Sequence, residues 1–287
     1  MICIDFHSHT TASDGSDSPR ELLLKAGSTG LTHLAITDHD TTFGVREGCR
    51  ILTAEMPNLL CGIELSCSGA PGKCHMLGLG IDPDNATLCG TLERVQRARE
   101  ERNGLIAKRL TQLGMPCELM DVRKYASDDG VVGRPHFAQW LIANGYCNDM
   151  HHAFKAYLGD DAKAYMPVDC LTPAEGIDII HAAGGRAYIA HPMLLRLKAH
   201  ETLELRIKAL VDAGMDGIEV YYPEHTPAQS EKLSRLAAKF GLGITGGSDY
   251  HGVSRPHNVL GRATDHKPAP IDQIDPWLLE KTISPAH

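Results

Sequence analysis

Residues 2–9 read Ile-Cys-Ile-Asp-Phe-His-Ser-His, a short β-branched apolar run that ends in two histidines one residue apart. Side chains on extended backbone alternate with a period of two, so His7 and His9 project from one face at the end of that strand. Residues 248–251, Ser-Asp-Tyr-His, repeat the arrangement near the other end of the chain, with Asp249 and His251 on one face. Several further apolar runs lie between these two clusters, and most carry a metal-ligand residue type at one end.

Strand-like runs fall at residues 2–6, 33–37, 59–63, 75–81, 186–190, 217–221 and 243–245. Helical patterns separate most of them. The first, at 19–28, opens with Ser18, Pro19 and Glu21 in capping-box spacing. Others span 41–55, 172–183, 201–213 and 227–240, the last stopped by Gly241. Strand–helix alternation predicts parallel strands, and seven of them predict a closed α/β barrel. Residues 86–164 break the rhythm: helical patterns at 88–113, 118–125, 135–143 and 150–158, and no convincing strand. The expected organisation is therefore a barrel built from residues 1–85 and 165–287, with a helical insertion over 86–164 between strands four and five. The Pro-rich tail after Ala263 is expected to wrap the surface.

Composition limits the function. The 287-residue chain is 43% hydrophobic, enough for a sizeable core. Its formal charge of -8 argues against broad electrostatic binding to nucleic acid, although bound metal ions would neutralise several of the carboxylates counted. The nine cysteines include no CxxC pair, as expected of reduced thiols in a cytoplasmic protein. No apolar run reaches the length of a membrane span, and no stable protein partner is evident.

The polar residues gather at one end of the expected strands. His7 and His9 follow strand one, with Asp14 in the loop beyond; Asp38 and His39 follow strand two. Glu64 ends strand three, His75 opens strand four, His191 follows strand five, and Asp249 and His251 follow strand seven. Barrel active sites are built at strand C-termini, so these positions converge on one mouth. Six imidazoles suit zinc, iron or manganese, and the carboxylates of Asp14, Glu64 and Asp249 can bridge ions. Nine ligands exceed what one ion takes and suit two or three divalent ions sharing a carboxylate and a bridging hydroxide, a nucleophile for phosphate esters. Asp38 is expected to orient an imidazole rather than ligate. An Asp-Gly loop is also an ordinary turn, so Asp14 has two readings.

This pattern resembles the PHP (polymerase and histidinol phosphatase) superfamily. The matching motifs are His7-Ser-His9, Thr37-Asp38-His39-Asp40, Gly62-Ile63-Glu64, His75, Ala190-His191-Pro192 and Gly247-Ser248-Asp249-Tyr250-His251. The resemblance implies a distorted (β/α)7 TIM-like barrel and a trinuclear centre. It implies one ion on His7, His9, Glu64 and Asp249, a second on Glu64, His75 and His191, and a third on Asp14, His39 and His251. Asp14 stands where some members have histidine.

Within the insertion, Gly133-Arg134-Pro135-His136-Phe137-Ala138 places a guanidinium and an imidazole beside a helix N-terminus, the parts of an anion cradle, unless Arg134 is simply solvated. Lys163 either faces phosphate or lies in solvent. His225, after strand six, either contacts phosphate, protonates the leaving group, or sits on the surface. These segments look like the nucleoside 3',5'-bisphosphate phosphatases, whose relatives also trim RNA or short oligonucleotides from the 5' end; the resemblance implies that Arg134 and His136 bind substrate phosphates. The expectation is a metal-dependent phosphoesterase that converts a nucleoside 3',5'-bisphosphate to the 5'-monophosphate through a metal-bridging hydroxide. Asp249 is the candidate to take the hydroxide's proton, and Tyr221, Tyr222 and Tyr250 are candidates to stack on a base. The competing expectations are a 5'-3' exoribonuclease acting on short RNA, a histidinol-phosphate phosphatase, and a degenerate structural module.

Overall fold

The computed structural model describes residues 3–69, 72–126, 130–168 and 170–285. Seven strands form one sheet in chain order: β1 (Ile4–Asp5), β2 (His33–Ile36), β3 (Asn58–Ser68), β4 (Lys73–Leu79), β5 (Arg186–Ile189), β6 (Gly217–Tyr221) and β7 (Gly243–Gly246). The sheet closes on itself. Phe6 N–H donates to Gly246 O at 3.1 Å, and His9 N–H to Tyr250 O at 2.9 Å, tying the first strand to the last. Ile2, expected at the start of strand one, lies outside the described residues.

Helices α1 (Pro19–Ser28), α2 (Phe43–Ile51), α3 (Ala86–Gln112), α4 (Leu119–Arg123), α5 (Arg134–Ala143), α6 (Met150–Ala153), α7 (Pro173–Ala182), α8 (Leu203–Asp212) and α9 (Pro227–Phe240) follow the sequence pattern closely, whereas α10 (Pro276–Glu280) falls in the tail expected only to wrap the surface. Ser18 and Glu21 make the capping box that starts α1, and Thr172 with Glu175 starts α7 in the same way. One turn of π-helix, Phe154–Leu158, continues α6.

The expectation of parallel strands throughout is corrected at β4. This strand runs antiparallel to both β3 and β5, and no helix separates it from β3. The cause is length. Only residues 69–72 link the two strands, closed by Gly69 N–H donating to Gly72 O at 2.8 Å, whereas a parallel return needs a crossover of about a dozen residues or more. The reversal has a functional consequence. β4 starts at the mouth where the other strands end, so His75 near its start joins the residues at their C-termini.

The barrel interior is filled by Ile4, Phe6, Ala35, Leu60, Leu77, Leu79, Tyr188 and Ala190, and α10 covers its lower end through Leu278. There Asp275 accepts from Tyr188 Oη at 2.6 Å and from Arg186 Nη1 at 2.8 Å, so this face serves stability. Helix α3 plays two parts. Its first half sends Leu88, Leu92 and Val95 into the core between barrel and helices. Its second half sends Ile106, Ala107 and Leu110 into a separate cluster with Phe137, Trp140 and Leu141. Arg99 and Arg102 sit between these halves.

Candidate metal centre

Ser8 turns away from the mouth and donates from Oγ to Ala35 O at 2.6 Å, which fixes the strand so that His7 and His9 both point inward. The loop that follows is pinned by Asp38. Its carboxylate accepts from Thr10 N–H at 2.8 Å, from Thr10 Oγ1 at 2.7 Å and from Ser13 Oγ at 2.6 Å, and so presents Asp14. The hydrogen bonds of Asp38 go to Thr10 and Ser13 rather than to an imidazole; Ser13 Oγ in turn lies 3.5 Å from His9 Nδ1.

Glu64 is the hub. Its Oε1 lies 2.9 Å from His75 Nδ1 and 3.0 Å from His191 Nε2. Its Oε2 lies 3.1 Å from His39 Nδ1 and 3.3 Å from both His7 Nε2 and His9 Nε2. Asp249 Oδ1 faces His9 Nε2 at 3.2 Å, and Asp14 Oδ1 faces His251 Nε2 at 3.2 Å. Three sets of ligand atoms fall within 4.8 Å of one another: His7, His9, Glu64 and Asp249; His39, Glu64 and His75; and His9, Asp14, His39 and His251. The first set is the one the family resemblance implied. In the second, His39 stands where His191 was implied, although His191 also reaches Glu64. His9 joins the third.

Six buried atoms in this cluster have no hydrogen-bond partner: His7 Nε2, His9 Nε2, Asp14 Oδ1, His39 Nδ1, Glu64 Oε2 and His251 Nε2. Buried polar atoms are seldom left unsatisfied, because each one costs free energy. Their convergence, in a nitrogen and carboxylate donor set, fits divalent ions. Two of the residues involved occupy left-handed backbone, His191 at φ 31° and Asp249 at φ 49°. Such strain concentrates at functional sites.

The electrostatics are internally matched. Burial alone would raise the Glu64 carboxyl, but the imidazoles of His39, His75 and His7 hold it well below the usual carboxylate range. Burial would likewise raise Asp249, yet Arg255, His251 and His7 hold it well below. Arg255 Nη1 donates to Asp249 Oδ2 at 2.6 Å, and Tyr222 Oη donates to the same oxygen at 3.0 Å. Behind the cluster, Glu219 bonds His7 Nδ1 at 2.8 Å and the His191 N–H at 2.6 Å.

A cleft of about 140 Å³ opens beside the cluster. Asp14, His39 and His75 line it together with Arg99, Arg102, Arg134 and Arg255. Arg134 donates to Leu158 O at 3.0 Å and to Asp160 Oδ1 at 3.1 Å, so it is fixed rather than solvated. His136 is buried, with Nδ1 accepting the Gly133 N–H at 2.9 Å. His225 is buried too. Its Nδ1 bonds Val220 O at 2.9 Å, which leaves the lone pair on Nε2, and that atom has no partner. Burial lowers the pKa of His225, so in this state the ring is an acceptor and not a proton donor. Lys163 is exposed, over the Tyr157 ring and outside the cleft lining.

The tyrosine expectation is corrected. Tyr222 is buried against Asp249, Tyr250 bonds Lys25 and Asp17, and Tyr221 Oη bonds Gln273. None of the three lines the cleft. Sequence reasoning also missed Glu219, Arg255, Arg99 and Arg102. A glutamate inside the apolar strand Gly217–Tyr221 was the available signal for the first, and Arg255 follows His251 by four residues. The two α3 arginines resemble any charged helix face.

Comparison with known proteins agrees with this geometry. The PHP domain family profile matches residues 5–153. The chain is 34% identical to the 5'-3' exoribonuclease Rnm of Escherichia coli (strain K12), over 87% of this chain and 85% of that protein. It is 30% identical to a 3',5'-nucleoside bisphosphate phosphatase of Chromobacterium violaceum, over 93% and 94%. A crystal structure from Bifidobacterium adolescentis, assigned as a metal-dependent phosphoesterase, superimposes with a TM-score of 0.82 at 32% identity, covering 97% of this chain and 94% of that one. The chain belongs to the PHP domain family.

Proposed function

We propose that this metal-dependent phosphoesterase removes one phosphate from a small nucleotide that carries two, with nucleoside 3',5'-bisphosphate converted to nucleoside 5'-monophosphate and phosphate. One observation carries the reading. A single small cleft is lined by the metal-ligand residues Asp14, His39 and His75 together with four guanidinium groups, a surface suited to two anionic groups at once. The insertion over residues 86–164 supplies three of those four arginines and thereby selects the second phosphate.

His7, His9, Glu64 and Asp249 would hold one ion, Glu64, His75, His39 and His191 a second, and Asp14, His39, His9 and His251 a third. Manganese, iron and zinc all suit imidazole and carboxylate donors. Bound there, the ions supply Lewis acidity toward phosphoryl oxygens and a water acidic enough to ionise near neutral pH. The chain's own residues do the rest. Glu64 and Asp249 stay ionised, and Asp249 is the carboxylate placed to accept a released proton. The guanidinium groups hold the substrate's other phosphate and its register. Val131, Gly133, Pro135 and Phe154 also line the cleft and limit water. Nine free cysteines suit a reducing, cytoplasmic setting, and no described helix is long and apolar enough to cross a membrane.

A second reading, 5'-3' trimming of short RNA, is favoured by an adjoining cavity of about 580 Å³ that shares Asp14, Pro135, Phe154 and Arg255 with the cleft. The test supplies manganese and compares adenosine 3',5'-bisphosphate, histidinol phosphate and a 5'-labelled RNA oligomer. Phosphate release from the bisphosphate alone supports the first reading. Successive mononucleotides from the oligomer support the second, and preferential turnover of histidinol phosphate would overturn both.

A further inference from the structure

The four guanidinium groups at the cleft differ in one respect. Arg99 is paired with Asp40, Arg134 with Asp160 and Arg255 with Asp249. Arg102 has no carboxylate partner among the described residues. It is 4% exposed, its Nη2 donates to Asn103 Oδ1 at 2.9 Å, and its buried Nε has no hydrogen-bond partner. Asn103 is itself fixed, because its Nδ2 donates to Val132 O at 2.9 Å. Burial, with the charges of Arg99 and Arg134 beside it, lowers the Arg102 guanidinium to about 9, so it stays protonated at neutral pH. An uncompensated buried cation destabilises a fold, and burial of this kind is tolerated when a ligand completes the pair.

We propose that Arg102 is an anion-binding residue whose missing partner is the phosphate that is not cleaved. Arg102 and Arg99 are three residues apart on α3 and therefore share a face. Arg99, Arg134 and Arg255 are each already paired with a carboxylate, so a phosphate arriving in the cleft finds its unmatched positive charge on Arg102. The anion site stands on the geometry alone; naming the non-scissile phosphate as its ligand rests on the two-phosphate reading above.

The test uses manganese-loaded protein without added phosphate, so that Arg102 is left free for the ligand's own phosphate. Calorimetry compares adenosine 5'-monophosphate with adenosine in the wild type and in Arg102→Gln, Arg102→Met and Arg102→Lys. The wild type is expected to prefer the monophosphate at least tenfold. The Gln and Met variants lose that preference while melting no lower than the wild type without ligand, and the Lys variant keeps part of it. With turnover, the ratio of kcat/KM for adenosine 3',5'-bisphosphate to that for adenosine 3'-monophosphate falls at least tenfold in the Gln variant. A wild type without the preference, or variants that retain it, would overturn the proposal, as would variants that melt well below the wild type and lose both substrates equally. Loss of the preference in a protein that cleaves neither substrate would leave the anion site standing and remove the bisphosphatase reading instead.

Discussion

Glu219 lies 2.8 Å behind His7 Nδ1, and its second carboxylate oxygen receives the His191 N–H at 2.6 Å. One buried acid thus sets the ring orientation of one ligand and the strained backbone of another. With a proton held at Nδ1, the lone pair of His7 is left on Nε2, the atom that faces Glu64 and Asp249. Glu219→Gln offers one acceptor oxygen for two donors. Its affinity for the ion on His7 and His9 is expected to drop roughly 10- to 100-fold, in line with other residues that orient ligands from behind. Metal content after dialysis against graded chelator is the measurement. Undiminished retention would mean that His7 needs no support.

Asp249 is held by two donors of different strength. A bond from a charged donor is worth about 1.5–3 kcal/mol and one from a neutral hydroxyl about 0.5–1.5. Arg255→Met is therefore expected to lower kcat/KM by roughly 10- to 150-fold, and Tyr222→Phe by roughly 2- to 10-fold, at about 1.4 kcal/mol per tenfold. Both variants remove a partner of the same oxygen, Oδ2. The order of the two losses is the check, and equal losses would show that Arg255 contributes nothing through its charge.

Removing metal should expose what the unsatisfied donors imply. Six buried atoms without partners are stabilised only when ions fill the cluster. At an ion concentration about 100 times its dissociation constant, binding adds about 2.7 kcal/mol to stability. For a chain of this size that corresponds to a rise of roughly 5–10 °C in melting temperature. Melting curves with manganese and with chelator are the comparison, and phosphatase activity should vanish with the ions. Full activity in chelated protein would remove the metal from the mechanism.

Much of this centre was legible in the sequence because metal ligands at strand ends combine two independent periodic signals. His7, His9, His39, His191, Asp249 and His251 could be placed before any coordinates, since a strand that ends at a known residue also fixes its mouth. β4 was harder. Its residues look like any apolar strand, and only the four-residue link to β3 betrays its reversed direction. Glu219, Arg99 and Arg102 were missed for a different reason. Their roles depend on which residues lie across the barrel or the cleft, and tertiary neighbours leave no mark on local pattern. The tyrosines show the converse. Their nearness to the mouth in sequence was real, but packing against Asp249, Lys25 and Gln273 had already used them.

His136 gives a pH dependence from a residue that is not itself a metal ligand. Burial lowers its pKa below the ordinary 6.5, although the Asp14 carboxylate partly offsets the effect. The unfolded chain therefore binds more protons than the folded one as pH falls through 6.5, and stability drops on the acid side of that value. Above it, this contribution is complete and constant. The ring also caps α5, with Nδ1 accepting the Gly133 N–H, and glutamine is a favoured residue at the same helical position for the same bond. His136→Gln is thus expected to keep the cap while removing one titrating group. In metal-free protein, the fall of melting temperature between about pH 6.5 and 5 should be shallower than in the wild type, with little change above pH 7. His33, His39, His225 and His251 are lowered by burial as well, so part of the acid slope should survive. A slope that the substitution leaves unchanged would mean that His136 does not titrate on unfolding, and a loss of stability at every pH would mean that the cap was not preserved.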